Sequence, residues 1–285
     1  MSYVITGATG NLGRLVVESL IARGVAASDI VATGRDVSRL DDLAARGVRT
    51  QAVDHDDPES LHGVIGKGDR VLLVSGPVFG LRMAQHANVI DAAKEAGAEL
   101  VAYTSIARAD AHDIALAEDH QATERLLADS GLPHALLRNS LYLDLYTEQV
   151  PVYVQHGAVV GSAGTGRQSA AARSDLAEAA AAVLLSDSPE GVYELGGDEA
   201  FTFEELAATV SEVTGEDVVY RDLPVEQYAQ VLEGAGLPTP VAHVLADSHR
   251  GIASGRLEVT TGDLSRLLGR PATSLREAVE AVAAG

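Results

Sequence analysis

Up to about position 139 the chain alternates two kinds of segment. Short apolar runs rich in β-branched residues fall at 3–6, 30–33, 48–53, 70–74, 100–104 and 135–137. Longer Ala/Leu-rich stretches with helical spacing fall between them at 12–23, 38–46, 83–96 and 116–129. Asp57-Pro58-Glu59 marks a further helix start, with an acid placed to cap and Pro at the first helical position. Nearly continuous apolar runs suit strands covered on both faces. Strict strand–helix alternation implies right-handed crossovers and a parallel sheet. The pattern therefore predicts a doubly wound α/β domain.

The rhythm changes after Asn139. The glycine-rich stretch "HGAVVGSAGTGRQ" (156–168) reads as a loop holding a short strand, and Ser174-Asp175 as the cap of an Ala-rich helix. Residues 192–195 and 217–221 read as strands, and Thr202-x-x-Glu205 and Ser274-x-x-Glu277 have capping-box spacing. No linker-like shift in composition, internal repeat or low-complexity tract separates the halves. The expectation is one domain over 1–150, to which a segment near 170–195 returns, and a smaller α/β domain over 151–285 packed on it.

The first strand opens into "TGATGNLG", which places Gly7, Gly10 and Gly13 between a strand and a helix. Such a turn lets backbone amides approach a pyrophosphate, the helix N-terminus adds partial positive charge, and the last glycine permits close helix–strand packing. The spacing is one residue longer between the first two glycines than G-x-G-x-x-G. Position and context nevertheless point to a Rossmann-type dinucleotide site using Gly7, Thr9, Gly10, Asn11, Leu12 and Gly13; the alternative is a tight turn without a ligand. The second strand ends in "ATGRD" rather than in a lone acid. Gly34 leaves room, and Arg35 offers a guanidinium that can grip the 2′-phosphate of NADP and stack on adenine. The expectation is NADP(H), with NAD(H) bound more weakly; the competing reading is a surface Arg35–Asp36 pair. Asp54 ends the third strand opposite the adenine amino group, Ser75 and Gly76 follow the fourth near the nicotinamide ribose, and Thr104 and Ser105 end the fifth. All would lie outside the carboxyl ends of the strands, where such sheets bind ligands. Phe79 could wall the same pocket.

Composition removes other classes. The chain has 285 residues and no cysteine, which excludes disulfides, thiolate metal sites and a cysteine nucleophile. No histidine pair has metal-ligand spacing with a third partner, so no metal is expected; no flavin is expected either. Lys+Arg 21 against Asp+Glu 41 gives a net charge of -20, which disfavours nucleic acid. Neither a leader pattern nor an apolar run of membrane length is seen, so a cytoplasmic monomer or homodimer without a membrane partner is expected. Only two lysines are present, Lys67 and Lys94, and none of the eight tyrosines has a lysine four residues on.

"TGATGNLG", "ATGRD", "LLVSG", "VAYTS" and "LLRN", in this order, resemble the atypical short-chain dehydrogenases of the NmrA-like group. "AYTSIARAD", "AEDHQATERLLADSGL", "LLRNSLY" and "YELGGDEAFT" extend the resemblance to the bacterial type 2 NAD(P)H:quinone oxidoreductases over nearly the whole chain. The resemblance implies a Rossmann domain with a small, mostly C-terminal substrate domain, and NADPH-dependent two-electron reduction of a quinone or similar conjugated acceptor. It departs from ordinary short-chain dehydrogenases in lacking the Tyr-x-x-x-Lys dyad, in whose place stands His120-x-x-x-Glu124. Two readings of His120 follow: it touches the substrate or supplies a proton, or it forms a surface or capping pair with Glu124. A quinone needs little acid–base help, because the hydroquinone anion is protonated by water, and positioning supplies much of the catalysis. Asn139 could bond the acceptor oxygen. Tyr142 could stack on its ring, or be a core aromatic. The absent dyad also suits a different class, a non-catalytic NAD(P)-binding redox sensor of the NmrA-like kind.

Overall fold

The computed structural model describes residues 1–76, 80–111 and 114–284. In chain order its elements begin β1 (Tyr3–Ile5), α1 (Asn11–Ala22), β2 (Ile30–Gly34), α2 (Asp41–Ala45), β3 (Arg49–Ala52), β4 (Arg70–Leu73), α3 (Arg82–Ala96), β5 (Leu100–Ile106), α4 (Ala115–Ser130) and β6 (His134–Asn139). They continue α5 (Asp144–Thr147), α6 (Val150–His156), β7 (Ala158–Gly161), α7 (Arg173–Leu185), β8 (Gly191–Leu195), α8 (Phe203–Thr214) and β9 (Val219–Asp222). The last are α9 (Val225–Gly234), α10 (Thr239–Ala253), α11 (Asp263–Leu268) and α12 (Leu275–Ala283). The chain divides into two compact units. The first holds Met1–Ser105, Asp119–Asn139 and Arg173–Tyr193; the second holds Ile106–Glu118, Ser140–Ala172 and Glu194–Gly285.

The first unit is built on a sheet in the order β3-β2-β1-β4-β5-β6-β8. β1 lies parallel to both neighbours, with Tyr3 opposite Ile30 of β2 and Arg70 of β4. β1, β2 and β5 are buried along their whole length, whereas β3, at the edge, is half-exposed to exposed. That is the burial the apolar runs require, and it bears out the doubly wound expectation. The chain runs outward from β1 to β3 and then crosses to the other side of β1 for β4. The carboxyl ends of β1 and β4 therefore flank the crevice where such sheets take ligands.

Local sequence explains the helices. α1 buries Leu12, Val16, Val17 and Leu20 on one face, and α3 stops at Gly97, which takes the left-handed conformation at φ 73 that a glycine tolerates without strain. Val89 and Ile90 of α3 and Leu127 of α4 join Val4, Val71, Val101 and Leu136 in one core. Two expected helices are smaller than the pattern suggests. The stretch 38–46 is a 3-10 turn (Val37–Leu40) followed by the five-residue α2, and Asp57 caps only the 3-10 turn Pro58–Leu61. Five α-helical residues are too few to sustain a longer helix without strong tertiary support.

In the second unit β7 and β9 pair in parallel, with Ala158 opposite Val219. Leu143, Tyr146, Phe201, Phe203, Leu206, Val210 and Val279 form its core. Both capping boxes are formed: Thr202 with Glu205 on α8, and Ser274 with Glu277 on α12. Ser174-Asp175 differs from expectation, because α7 begins one residue earlier, at Arg173, and both residues sit in its first turn.

Candidate cofactor site

The glycine turn has the geometry of an anion cradle. Gly7 turns at φ +60 and its carbonyl accepts the Gly10 N–H at 2.9 Å. Gly10 then caps α1 without any side-chain bond, and no acid lies in the first turn. α8 and α12 instead have their first amides met by Thr202 and Ser274. The opening amides of α1, around Asn11, Leu12 and Gly13, are thus left for an anion, with the helix dipole behind them. A Cβ on Gly13 would stand 2.5 Å from the Gly7 carbonyl oxygen and 2.9 Å from Ala8 Cα, so only glycine lets α1 approach the turn this closely.

Gly34 has a similar role at the end of β2. A Cβ there would lie 2.5 Å from Thr9 Cγ2 and 2.6 Å from Thr9 Oγ1; the Thr9 side chain occupies the space glycine leaves. Gly34→Ala is expected to destabilise the protein by about 1–3 kcal/mol through overpacking. Adding Thr9→Ala should restore at least half, since both colliding γ atoms are then gone. Thermal unfolding of the single and double variants measures this, and a double variant no better than the single would break the link between the two residues.

Arg35 is exposed, and among the described residues nothing hydrogen-bonds its guanidinium. The competing surface pair does not form, because Asp36 accepts from the Ser38 N–H at 3.2 Å and the Ser38 hydroxyl at 2.6 Å. Arg39, also exposed, lies four residues on. Sequence reading passed over it, although its spacing from Arg35 was visible. Asp54 is exposed after β3, and its Oδ1 accepts the Asp56 N–H at 3.1 Å, which leaves Oδ2 without a bond among the described residues.

Beyond β4 the backbone is pinned from both sides. The Val74 N–H donates to Thr6 Oγ1 at 3.0 Å and the Ser75 N–H to Thr104 Oγ1 at 2.8 Å. Gly76 donates to His86 Nε2 at 3.4 Å, and its carbonyl accepts from Arg82 Nε at 2.6 Å. Phe79 lies outside the described residues. Ser105 Oγ donates to Glu124 Oε1 at 2.6 Å, and Arg138 grips the same carboxylate with Nε at 3.0 Å and Nη2 at 2.7 Å.

His120 is buried, and Glu124 is not its partner. Its Nδ1 lies 2.7 Å from the Tyr103 hydroxyl and its Nε2 3.5 Å from Arg82 Nη1. Burial, with Arg82 and His86 nearby, lowers its pKa to about 3, so the ring is neutral near pH 7. The surface pair of the second reading is therefore absent, and the first turns on what a neutral, buried imidazole can do. Asn139, the last residue of β6, is buried, and its Oδ1 has no hydrogen-bond partner among the described residues. An orphaned buried amide oxygen costs about 1–3 kcal/mol, and such atoms collect at sites awaiting a ligand. Tyr142 belongs to the second unit, half-buried, bridged in parallel to Ala171.

Gly7 to Gly13, Arg35, Asp54, Ser75, Gly76, Thr104, Ser105 and Asn139 thus fall in the first unit at the ends of successive strands of one sheet. Sequence reading missed Arg82 and His86. Their signal was positional: the buried stripe Val89, Ile90 and Ala93 of α3, extended backwards at helical spacing, passes through His86 and Arg82.

An open anion cradle at the switch point of a doubly wound sheet defines a dinucleotide-binding protein. Residues 7–187 match the NAD(P)H-binding family, and the chain belongs to it. Over 96% of both chains it is 42% identical to quinone oxidoreductase 2 of Escherichia coli strain K12. The crystal structure of that NADPH-dependent quinone oxidoreductase complexed with NADPH superposes with a TM-score of 0.95, covering 98% of this chain and 99% of the other. The NADP(H) complex of Citrobacter sp. triphenylmethane reductase is 38% identical with a TM-score of 0.92, over 99% and 100% of the two chains. An NmrA-like family domain-containing oxidoreductase of Aspergillus flavus is 26% identical over 98% of this chain and 94% of its own.

Proposed function

We infer that this chain is an NADPH-dependent quinone oxidoreductase acting in the cytoplasm. The observation that carries this reading is the near-full-length likeness to an enzyme of that activity, together with an uncapped, acid-free α1 N-terminus fit to hold a dinucleotide pyrophosphate. The cofactor, when bound, supplies a hydride to the acceptor. The chain's own part is binding and orientation. The α1 amides hold the pyrophosphate and Arg35, with Arg39 beside it, the 2′-phosphate. The free Asp54 oxygen takes the adenine amino group, and the Ser75–Gly76 backbone bears on the nicotinamide ribose. Thr104 and Ser105 support that segment: Thr104 fixes Ser75, and the Ser105 proton is already directed to Glu124.

Asn139 carries the acceptor end of the proposal. Its amide donates to an acceptor oxygen, while the orphaned Oδ1 receives a proton-bearing group, a hydroquinone hydroxyl or an amide. Tyr142 is proposed to stack on the acceptor ring. No group need titrate in the step, since water completes the protonation. A non-catalytic sensor is not favoured by any observation over this reading.

The test is NADPH oxidation over a panel of quinones, enones and triphenylmethane dyes. Quinone-dependent turnover is expected, and Asn139→Leu should lower kcat about tenfold while leaving the NADPH KM within twofold, the size of one hydrogen bond of about 1–1.5 kcal/mol. Tight NADPH binding with no turnover on any acceptor would hand the case to the sensor.

A further inference from the structure

We propose that Arg82, His86 and His120 form a clamp that fixes the Gly76 backbone, so that His120 is a positioning residue for cofactor binding and not a proton donor. The proposal rests on the reading above of Ser75–Gly76 as the segment beneath the nicotinamide ribose.

Donors and acceptors in the cluster fix the proton positions on both histidines. Thr123 Oγ1 donates to the Asp119 carbonyl at 2.9 Å, so toward other groups it can only accept. His86 Nδ1, 2.9 Å from that oxygen, must therefore carry its proton, which leaves His86 Nε2 as the acceptor for the Gly76 N–H. Arg82 is permanently charged and offers only donors, so His120 Nε2 must be bare to accept from it. His120 Nδ1 then holds the proton and donates to the Tyr103 oxygen at 2.7 Å. The Tyr103 hydroxyl thus acts as an acceptor toward His120. The opposite arrangement, with Tyr103 donating to His120, would turn the His120 Nε2–H toward the guanidinium. With both histidines protonated at Nδ1, every bond they make has one donor and one acceptor.

The chain of bonds converges on one residue. Arg82 Nε holds the Gly76 carbonyl, His86 holds its N–H, and Gln85 Oε1 lies 3.3 Å from where a Cβ on Gly76 would stand. His120, Thr123 and Tyr103, from α4 and β5, hold the two α3 side chains in turn. His86, Tyr103 and Thr123 are wholly buried, and Arg82 and His120 nearly so. Charged groups bearing on the cluster are Arg82 on the histidines and Asp119 and Glu124 on Tyr103. Burial first, and then Arg82, lowers the His86 pKa to about 3, and burial raises that of Tyr103, so nothing in the clamp changes charge between pH 5 and 9.

Two measurements test it. Long-range imidazole nitrogen spectra of the ligand-free wild-type protein should show Nδ1–H tautomers for His86 and His120, with no titration from pH 5 to 9. An Nε2–H tautomer at His120, or titration near neutrality, overturns the assignment. His120→Leu should raise the NADPH Kd and KM five- to tenfold, with the shape of the pH–rate profile kept. His120→Gln, which can again offer an acceptor toward Arg82, should recover most of that affinity. A fall confined to kcat, with one limb of the pH profile lost, would instead make His120 the proton donor and overturn the clamp. Wild-type protein without affinity for NADPH would refute the cofactor reading, and the ligand-free tautomers would still judge the clamp. Should the leucine variant fail to fold, His120→Gln and the spectra decide.

Discussion

Removing the Glu124 carboxylate, by Glu124→Ala, is expected to destabilise the protein by about 3–5 kcal/mol, the usual result of breaking a buried ion pair by removing one member. For a chain of this size that is a fall in Tm of roughly 10 °C. The carboxylate and the Arg138 guanidinium are 11% and 9% exposed and meet in two near-parallel bonds. Ser105 adds its hydroxyl to the same carboxylate. Arg138 left in place would keep a mostly buried positive charge without the Glu124 carboxylate. The paired replacement Glu124→Leu with Arg138→Met should lose far less than the single change, since exchanging a buried pair for apolar bulk is often neutral. Urea unfolding of the three proteins measures this. A Glu124→Ala loss below about 1 kcal/mol would mean that the pair is solvated and only decorative. The pair also gives physical content to the missing dyad. In place of the dyad lysine of ordinary short-chain dehydrogenases, this chain has an acid that ties α4 to β5 and β6 and engages the Ser105 hydroxyl, which makes it a structural strut.

The first unit was largely legible because most of its strands are nearly continuous apolar runs and its helices fall between them in strict alternation. The edge strand β3 is the informative exception. Its residues are half-exposed, yet it was read correctly through its place in the alternation, a global constraint acting where the local signal was weak. The second unit offered no such rhythm. β7 and β9 are four residues each, separated along the chain by α7, β8 and α8, and periodicity carries no information about which distant run will pair with which. α5 and α6, at four and seven residues, are too short to show a helical period, and they went unread. α7 is buried nearly all round, so it has no polar face to say what it packs against; in the structure it lies on α1.

In the site the division follows chemistry. Glycines whose missing Cβ matters, Gly13 and Gly34, were legible because the turn has a known stereochemical purpose. The side chains that hold the Gly76 backbone were not, because an Arg and a His on a helix read as surface residues until burial is known. His120 and Glu124 were correctly placed on one helical face. Their partners, Tyr103 and Arg82 for one, Ser105 and Arg138 for the other, come from β5, α3 and β6, and one-turn spacing says nothing about those.

Replacing Arg35 by alanine is expected to raise the NADPH KM about 10–100-fold while changing that for NADH less than twofold. The range follows from one or two charge-assisted bonds of about 1.5–3 kcal/mol to a phosphate that only NADPH carries. Arg35 is well placed for it: exposed, free of Asp36, and preceded by a glycine that keeps the end of β2 narrow. The surrounding charge sharpens the expectation. At a net charge of -20 the protein as a whole repels an anionic cofactor, so there is little background attraction to mask the loss of one local cation. Salt separates the two contributions. It screens the long-range repulsion and the exposed guanidinium–phosphate contact alike, over a Debye length of about 8 Å at physiological ionic strength. Raising salt should therefore narrow the preference for NADPH over NADH in the wild type and leave the variant, which has little preference, nearly unchanged. Equal losses for both cofactors would move Arg35 from the 2′-phosphate to the adenine face it could also stack upon, and a loss for neither would assign the phosphate to Arg39.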